Sequence, residues 1–362
     1  MKITCIASSQ IPSDTANSIQ VMKVCQAFAQ LGHEVTLLVP GSEHETSHLQ
    51  RHYGLTVHFS VEWLPVKNRH FFPWKAVLRA REIGTDLLYC WPLQSAVLGL
   101  LSGMPAMVEL HDLPSGRFGR LWLKLFLSIP GRKRLLPITD ALRRALHLPE
   151  ETTVVAPDGV DLERYASLPD QERTRRLTGL PEALTVLCTG HLYPGRGTDL
   201  FLALAEKFQS ASFVWVGGRP ADVQAWKERA AHLSNVIFTG FVPNESIPVY
   251  QASGDVLLMP YSRAVATSSG GDTAEVCSPM KMFEYMAAGR AILSSDLAVL
   301  HEVLDESTAV FCPMEDTDAW IEALRSLLQD EKHRQSLGGN ALRAVEKYSW
   351  IERARRSLRE FK

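Results

Sequence analysis

Short apolar runs alternate with amphipathic helical segments along this chain, and that alternation constrains the fold more tightly than anything else in it. The runs in the first half are Ile3 to Ala7, Val35 to Val39, Leu87 to Trp91, Ala106 to Leu110, Leu136 to Thr139 and Thr153 to Ala156. In the second half they are Leu184 to Thr189, Ser212 to Val216, Val236 to Phe238, Val256 to Met259, Ala291 to Ser294 and Ala309 to Phe311. A continuous short apolar run suits a strand covered on both faces, and the helical stretches between runs supply the crossovers that parallel neighbours need. The segment from about Ser18 to Leu31 has an apolar face and stops at Gly32, so strand, helix, strand starts at the first residue. A helical tail fills about 316 to 361. The pattern predicts an α/β fold of two Rossmann-like, doubly wound parallel-sheet domains, 1–165 and 166–345, with a C-terminal helix, 346–362, packing back on the first. A hinge is placed in 157–183, which opens with Pro157-Asp158-Gly159-Val160-Asp161 and continues through a polar, charged segment. Open α/β sheets take ligands at the C-terminal ends of their strands, so a central cleft is the expected site.

A chain of 362 residues suits two domains, and 46% hydrophobic with 22% charged residues is an ordinary globular composition. The apolar run near 121 to 129 is broken by Lys124 and ends at Pro130, far short of a membrane span, and Met1 to Ile6 reads as a strand. A cytoplasmic protein is expected. The six cysteines show no CxxC pair and most sit in apolar runs, as small core residues of a reducing compartment do. No ligand spacing such as HExxH occurs among the 12 histidines, so no metal is expected.

Charge is divided unevenly. Residues 1 to 150 carry 16 Lys and Arg against 11 Asp and Glu, although the whole chain is at −2. Between Asp112 and Asp140 there is no acid, while Arg117, Arg120, Lys124, Arg132, Lys133 and Arg134 interleave with Phe118, Leu121, Trp122, Leu125 and Phe126. A second acid-free stretch runs from Lys67 through Arg69, Phe71, Phe72, Trp74 and Lys75 to Arg81. Such segments suit an anionic membrane surface, at the inner face of a membrane for a peripheral protein, or an anionic acceptor. A partly buried helix with a solvated basic edge is the other reading. No nucleic-acid motif accompanies the charge.

Two strand-to-helix turns carry cations. Ser278-Pro279-Met280-Lys281-Met282-Phe283-Glu284 opens a helix predicted over 279 to 288, with Pro279 in its first turn and Gly289 at its left-handed exit. Free amides at such a start favour an anion, and Lys281 and Glu284 share a face. By themselves these residues also fit a surface Lys–Glu pair on an ordinary amphipathic helix. After the strand at Leu184 to Thr189 comes Gly190-His191-Leu192-Tyr193-Pro194-Gly195-Arg196-Gly197-Thr198. Arg196 stands where the Walker lysine would be and Gly197 removes the magnesium-binding hydroxyl, which argues against a P-loop NTPase. No G-x-G-x-x-G follows the first strand, which argues against a dinucleotide enzyme. A diphosphate site without metal remains.

At this point the chain resembles the glycosyltransferases of family 4, group 1, along its whole length. Leu31-Gly32-His33-Glu34-Val35 resembles the junction after the family's first helix, and Glu109-Leu110-His111-Asp112 its strand-end histidine motif. Pro157 to Asp161 resembles the interdomain P-N-G-V-D, with Asp for Asn, and Gly190 to Gly197 the family's G-R-L-x-x-x-K-G. Asn235 to Val242 resembles the strand and loop that meet the base, and Ser278 to Gly289 the S-P-L-K-L-F-E-Y-M-A-A-G segment. The resemblance implies a GT-B fold and a retaining, metal-independent transferase with a nucleotide-sugar donor of the UDP or GDP type and no cofactor. It implies donor contacts at Gly190, Arg196, Phe241, Val242, Ser278, Pro279, Met280, Lys281 and Glu284, with catalytic duties for His111, Arg196 and Lys281. Arg196 matches the diphosphate lysine, Glu284 the carboxylate on the ribose, main-chain groups of Phe241 and Val242 the base contact, and His111 the histidine on the sugar. Asn17 and Ser18 stand where the family's loop approaches phosphate and acceptor.

The chain departs from the pattern in three places. His191 replaces the usual second basic residue, Val276 stands where the first Glu of E-x7-E would fall, with Glu275 beside it, and Ala16-Asn17 replaces Gly-Gly. The polar loop Arg263 to Asp272 is the expected substitute for the missing sugar-reading acid. A lipid-linked or saccharide acceptor fits the basic, aromatic stretches. A GT-B epimerase or phosphorylase, or a non-catalytic nucleotide-binding subunit, is the alternative.

Overall fold

The computed structural model describes residues 1–66, 68–114, 116–263 and 274–361, apart from the side chains at positions 46 and 47. Two compact units result, Met1–Asp158 with Trp350–Lys362, and Gly159–Ser349. Their division falls at Asp158, earlier than 165, because the Val160 amide donates to Tyr348 O at 3.1 Å and residues from 159 onward are thereby tied to the second unit. The tail likewise rejoins the first unit at Trp350 rather than at 346.

The first unit holds a six-stranded parallel sheet: β1 (Lys2–Ile6), β2 (Glu34–Pro40), β3 (Ser60–Leu64), β4 (Leu87–Cys90), β5 (Ala106–Leu110) and β6 (Lys133–Pro137), in the order β3-β2-β1-β4-β5-β6. The second repeats the plan with β7 (Thr185–Thr189), β8 (Ser212–Val216), β9 (Val236–Gly240), β10 (Val256–Met259), β11 (Ala291–Ser295) and β12 (Val310–Cys312), in the order β12-β11-β10-β7-β8-β9. All pairings are parallel, with Ile3 opposite both Val35 and Leu87 and Val186 opposite both Phe213 and Val256. In each sheet the order reverses beside the unit's first strand, between β1 and β4 and between β7 and β10. Helices leave these neighbours in opposite directions, which opens a crevice at their C-terminal ends.

Eleven strands coincide with the apolar runs to within a few residues, and two corrections are needed. The edge strand β3 was not foreseen, since Ser60-Val61-Glu62-Trp63-Leu64 is only partly apolar and edge strands are half-exposed. Thr153 to Ala156 is no strand; it makes one bridge, Leu135 to Thr153, and two amide bonds to β6.

Packing explains why these strands read as unbroken apolar runs. Every residue of β7 and β8 is buried, and Phe201 from the helix Thr198–Lys207 meets Trp215 and Phe213 edge-on, with ring centroids 5.3 and 5.5 Å apart. Each such aromatic contributes a few kcal/mol of burial, on the order of 2–3, plus about 1 for the edge-to-face geometry. The Trp215 indole N–H also donates to Gly190 O at 2.9 Å and so anchors the first residue of the loop after β7. In the first unit the terminal helix Trp350–Leu358 packs on the helix Ala16–Gln30, and Arg134 Nη1 donates to Ser357 O and Arg359 O, both at 2.7 Å.

Candidate functional site

The crevice of the second unit gathers the cations singled out by the sequence. The loop after β7 bends through three glycines with positive φ, Gly190 at 127°, Gly195 at 80° and Gly197 at 80°. A side chain at 197 would collide with the carbonyl and ring of Pro260, which follows β10, so the loop can approach β10 this closely only without a Cβ. Ser262 N donating to Gly195 O at 3.0 Å fixes the two loops together. Arg196 is thereby carried over Tyr261, its guanidinium 5.4 Å from the ring centroid and its Nη1 3.4 Å from the phenol oxygen.

Lys281 reaches the same ring from the other loop. The helix runs over Met280–Ala287, with Pro279 as its extended cap, one residue later than the predicted start; Gly289 takes the left-handed exit at φ 63°. The Lys281 ammonium lies 4.9 Å from the Tyr261 centroid and donates to Thr189 O at 3.1 Å. Tyr261 itself is buried, and its carbonyl accepts from Ser295 Oγ at 2.7 Å. Two cations that would repel each other are thus held on one aromatic ring by cation–π attraction.

Glu284, one turn further along that helix, accepts from Gln251 Nε2 at 2.9 Å. Gln251 is buried and accepts in turn from the Tyr165 phenol at 2.5 Å. Beside it the Tyr285 phenol accepts from Thr189 N at 2.7 Å and locks the helix to the end of β7. Ser278 is buried at the helix start, and Pro279 and Met280 are half-buried. Phe241 is exposed just past β9, after Gly240 at φ 76°, with Val242 half-buried beside it. His191 stacks on Tyr193 with centroids 4.9 Å apart, and Arg219 covers the same ring at 5.2 Å. Val276 is buried and Glu275 exposed. The loop expected to replace the missing acid lies almost wholly outside the described residues.

In the first unit His111 follows β5 at the corresponding end of the sheet. Its Nε2 lies 2.6 Å from Glu109 Oε1, and the Glu109 side chain has no exposed surface. Arg353 Nη2 meets the same oxygen at 2.7 Å, the Gln20 amide donates to it, and the Tyr89 phenol donates to Oε2. Burial alone would raise the Glu109 pKa, but the Arg353 charge and the His111 hydrogen bond bring it down to about 2. Burial lowers that of His111, yet the hydrogen bond and charge of Glu109, helped by Asp158, raise it overall. Asp158, buried nearby, is pushed up to about 6 by burial. Asn17 and Ser18, expected on a loop, lie in the first turn of the helix Ala16–Gln30: Asn17 is exposed and accepts from Ser9 Oγ, whereas the buried Ser18 hydroxyl donates to Ser13 O at 2.6 Å and Thr15 O at 2.8 Å.

Tyr261, Gln251, Tyr285, Tyr89, Gln20 and Arg353 were not found from the sequence. Each reaches its partner across the fold; Tyr285 lies within the Ser278 to Gly289 motif but was given no role there, and no local spacing marks the other five.

Residues 18–164 match the family "Glycosyltransferase Family 4" and residues 183–330 the family "Glycosyl transferases group 1", which between them span most of the chain. The phosphatidyl-myo-inositol mannosyltransferase of Mycolicibacterium smegmatis is 26% identical over 375 residues, which cover 96% of this chain and 89% of that protein. HepE from Anabaena, solved with UDP-glucose, superposes with a TM-score of 0.74 at 17% identity, over 98% of this chain and 97% of its own. A glycosyltransferase from Rickettsia africae superposes at 0.78 with 12% identity, over 100% of this chain and 97% of its own; at these identities the likeness is one of fold, GT-B. With two sheets of one topology, a glycine-turned cationic crevice and matches along both halves, the chain belongs to the family 4, group 1 glycosyltransferases and is an enzyme of that class.

Proposed function

We propose that the enzyme moves a sugar from a nucleoside diphosphate to a hydroxyl acceptor with retention and without a metal. The observation that carries this is the pairing of Arg196 and Lys281 on Tyr261, beside Glu284. Two fixed cations supply the charge that a leaving diphosphate demands, which is the service a metal would otherwise perform. Amides at Ser278 to Met280 add to it, Glu284 accepts from the ribose hydroxyls, main-chain groups at Phe241 and Val242 meet the base, and the resemblance assigns His111 to the sugar. No side chain is assigned as a base; the departing diphosphate oxygen takes the acceptor proton as the acceptor attacks from the same face.

The acceptor side of the reading rests on the first unit's surface. The helix Gly119–Ser128 buries Leu123 and Phe126 and exposes Leu121, Leu125, Arg120 and Lys124, with Phe118 and Arg117 just before it. The helix Phe72–Ile83 exposes Trp74, Leu78 and Lys75, with Phe71 ahead of it, and both helices pack against Leu93–Leu101. Exposed aromatics among cations suit the headgroup region of an anionic membrane, so a lipid-linked or envelope saccharide acceptor at the inner face of the membrane is proposed. No helix among the described residues is long and apolar enough to cross a membrane.

A thermal-shift panel of UDP-, GDP- and ADP-sugars, followed by product analysis with the stabilising donor, tests the reading. Ligand at a hundred times its Kd stabilises by about 2.7 kcal/mol, enough to raise Tm by several degrees. Absence of a shift with every donor and of sugar transfer or donor hydrolysis would overturn it.

A further inference from the structure

The Glu109 carboxylate, with no exposed side-chain surface, has no step in the proposed transfer. Four elements converge on this carboxylate: β5 itself, the helix Ala16–Gln30 through Gln20, β4 through Tyr89, and the helix Trp350–Leu358 through Arg353. A structural ion pair needs only Arg353. Here the carboxylate also receives the Nε2–H of His111, at 2.6 Å, and the His111 side chain is 28% exposed.

We propose that Glu109 is a positioning residue for His111: it holds the Nε2–H, fixes the ring, and keeps it an imidazolium whose Nδ1–H is offered as a donor to a substrate oxygen. This rests on the assignment of His111 to the sugar. With Nε2 occupied by Glu109, the charge state of the ring decides what Nδ1 can do. Neutral, it accepts; protonated, it donates. A sugar hydroxyl would tolerate either, but an oxygen gathering negative charge as the donor breaks would be stabilised only by the cation. The groups facing the ring favour the cation on balance. Glu109 and Asp158 are acidic, Arg353 opposes them, and Tyr89 and Gln20 donate to Glu109. Arg353 has a second part: it holds Glu109 ionised, so the partner of His111 does not protonate before the histidine does.

The test is an NMR titration of the full chain with isotope-labelled histidine, without substrate, the His111 signals being assigned by their loss in His111→Asn. The expected midpoint is above the ordinary value of 6.5 and falls in Glu109→Gln. Should that variant fail to fold, Glu109→Gln combined with Arg353→Met removes both charges and gives the same readout. A wild-type midpoint at or below 6.5, or one unmoved by the loss of Glu109, overturns the proposal. In the transfer assay, kcat/KM for the donor should decline on the alkaline side at the midpoint that NMR gives. Transfer that proceeds with no such limb overturns the catalytic part, while the absence of any transfer counts against the donor reading and leaves the titration to decide the role of Glu109.

Discussion

Glu109 and Arg353 meet at 2.7 Å from distant points of the sequence, with side chains 0% and 3% exposed. Removing one member of a buried pair leaves the other as an uncompensated charge and costs about 3–5 kcal/mol. Arg353→Met is therefore expected to lower the denaturation midpoint sharply. The double variant Glu109→Gln with Arg353→Met should recover most of the loss. Urea unfolding of the three proteins is the measurement.

Asp158 and Glu109 drive stability in opposite directions with pH. The folded state holds Asp158 at about 6, above its ordinary value of 3.8, so it binds the proton more tightly than the unfolded chain, and this group's contribution falls as pH rises from about 4 to 6. Glu109, at about 2 when folded, contributes stability that is complete above the unfolded value of about 4.5 and is lost as pH falls towards 2. Asp158→Asn should then stabilise the protein at pH 7 by no more than about 3 kcal/mol, with little gain at pH 4. Equal gains at the two pH values would contradict the assignment.

Arg196→Ala should lower kcat/KM by about two to three orders of magnitude, the scale of one lost transition-state donor. Arg196→Lys should retain part of the activity because the charge survives without the planar fork. Glu284→Ala should chiefly raise the donor KM, by roughly ten- to a hundredfold for a lost charge-assisted hydrogen bond. Steady-state kinetics with wild-type values in Arg196→Ala would end the donor-site assignment.

Gly197→Ala tests the loop geometry alone. The left-handed backbone costs about 1–2 kcal/mol for any residue with a Cβ, and the clash with Pro260 forces the loop off β10. A lowered Tm should be accompanied by a loss of kcat/KM, since Arg196 moves with the loop. Gly84→Ala, also at positive φ but with open space around it, serves as the comparison: it should lose stability alone.

Changing Arg117, Arg120 and Lys124 together to Glu should release the protein from vesicles of anionic lipid. Each basic residue near such a surface contributes about 1 kcal/mol, so removing the three alone weakens binding roughly a hundredfold. Sedimentation with vesicles at low salt reads this directly, and unchanged retention would dismiss the membrane assignment.

Much of the fold was legible because parallel strands covered on both faces must be apolar throughout, and runs such as Val256 to Met259 declare themselves locally. β3 stayed hidden since an edge strand is covered on fewer sides and Glu62 can stand in it. The positions of the two cations proposed for the site were legible as well: Arg196 and Lys281 sit at strand-to-helix turns whose glycine and proline mark them.

What the sequence by itself determined is thus the two doubly wound units, the turns at Gly190 to Gly197 and Ser278 to Gly289, and the charged residues they carry. Tertiary structure alone decided that Tyr261 lies beneath both cations, that Gln251 stands behind Glu284, and that Arg353 returns to set the charge beside His111. Backbone conformation at a turn depends on neighbours along the chain, so it is written in short motifs. Partnership between side chains depends on which strands the sheet places side by side, and the reversal of order between β1 and β4, and between β7 and β10, joins residues that no spacing relates.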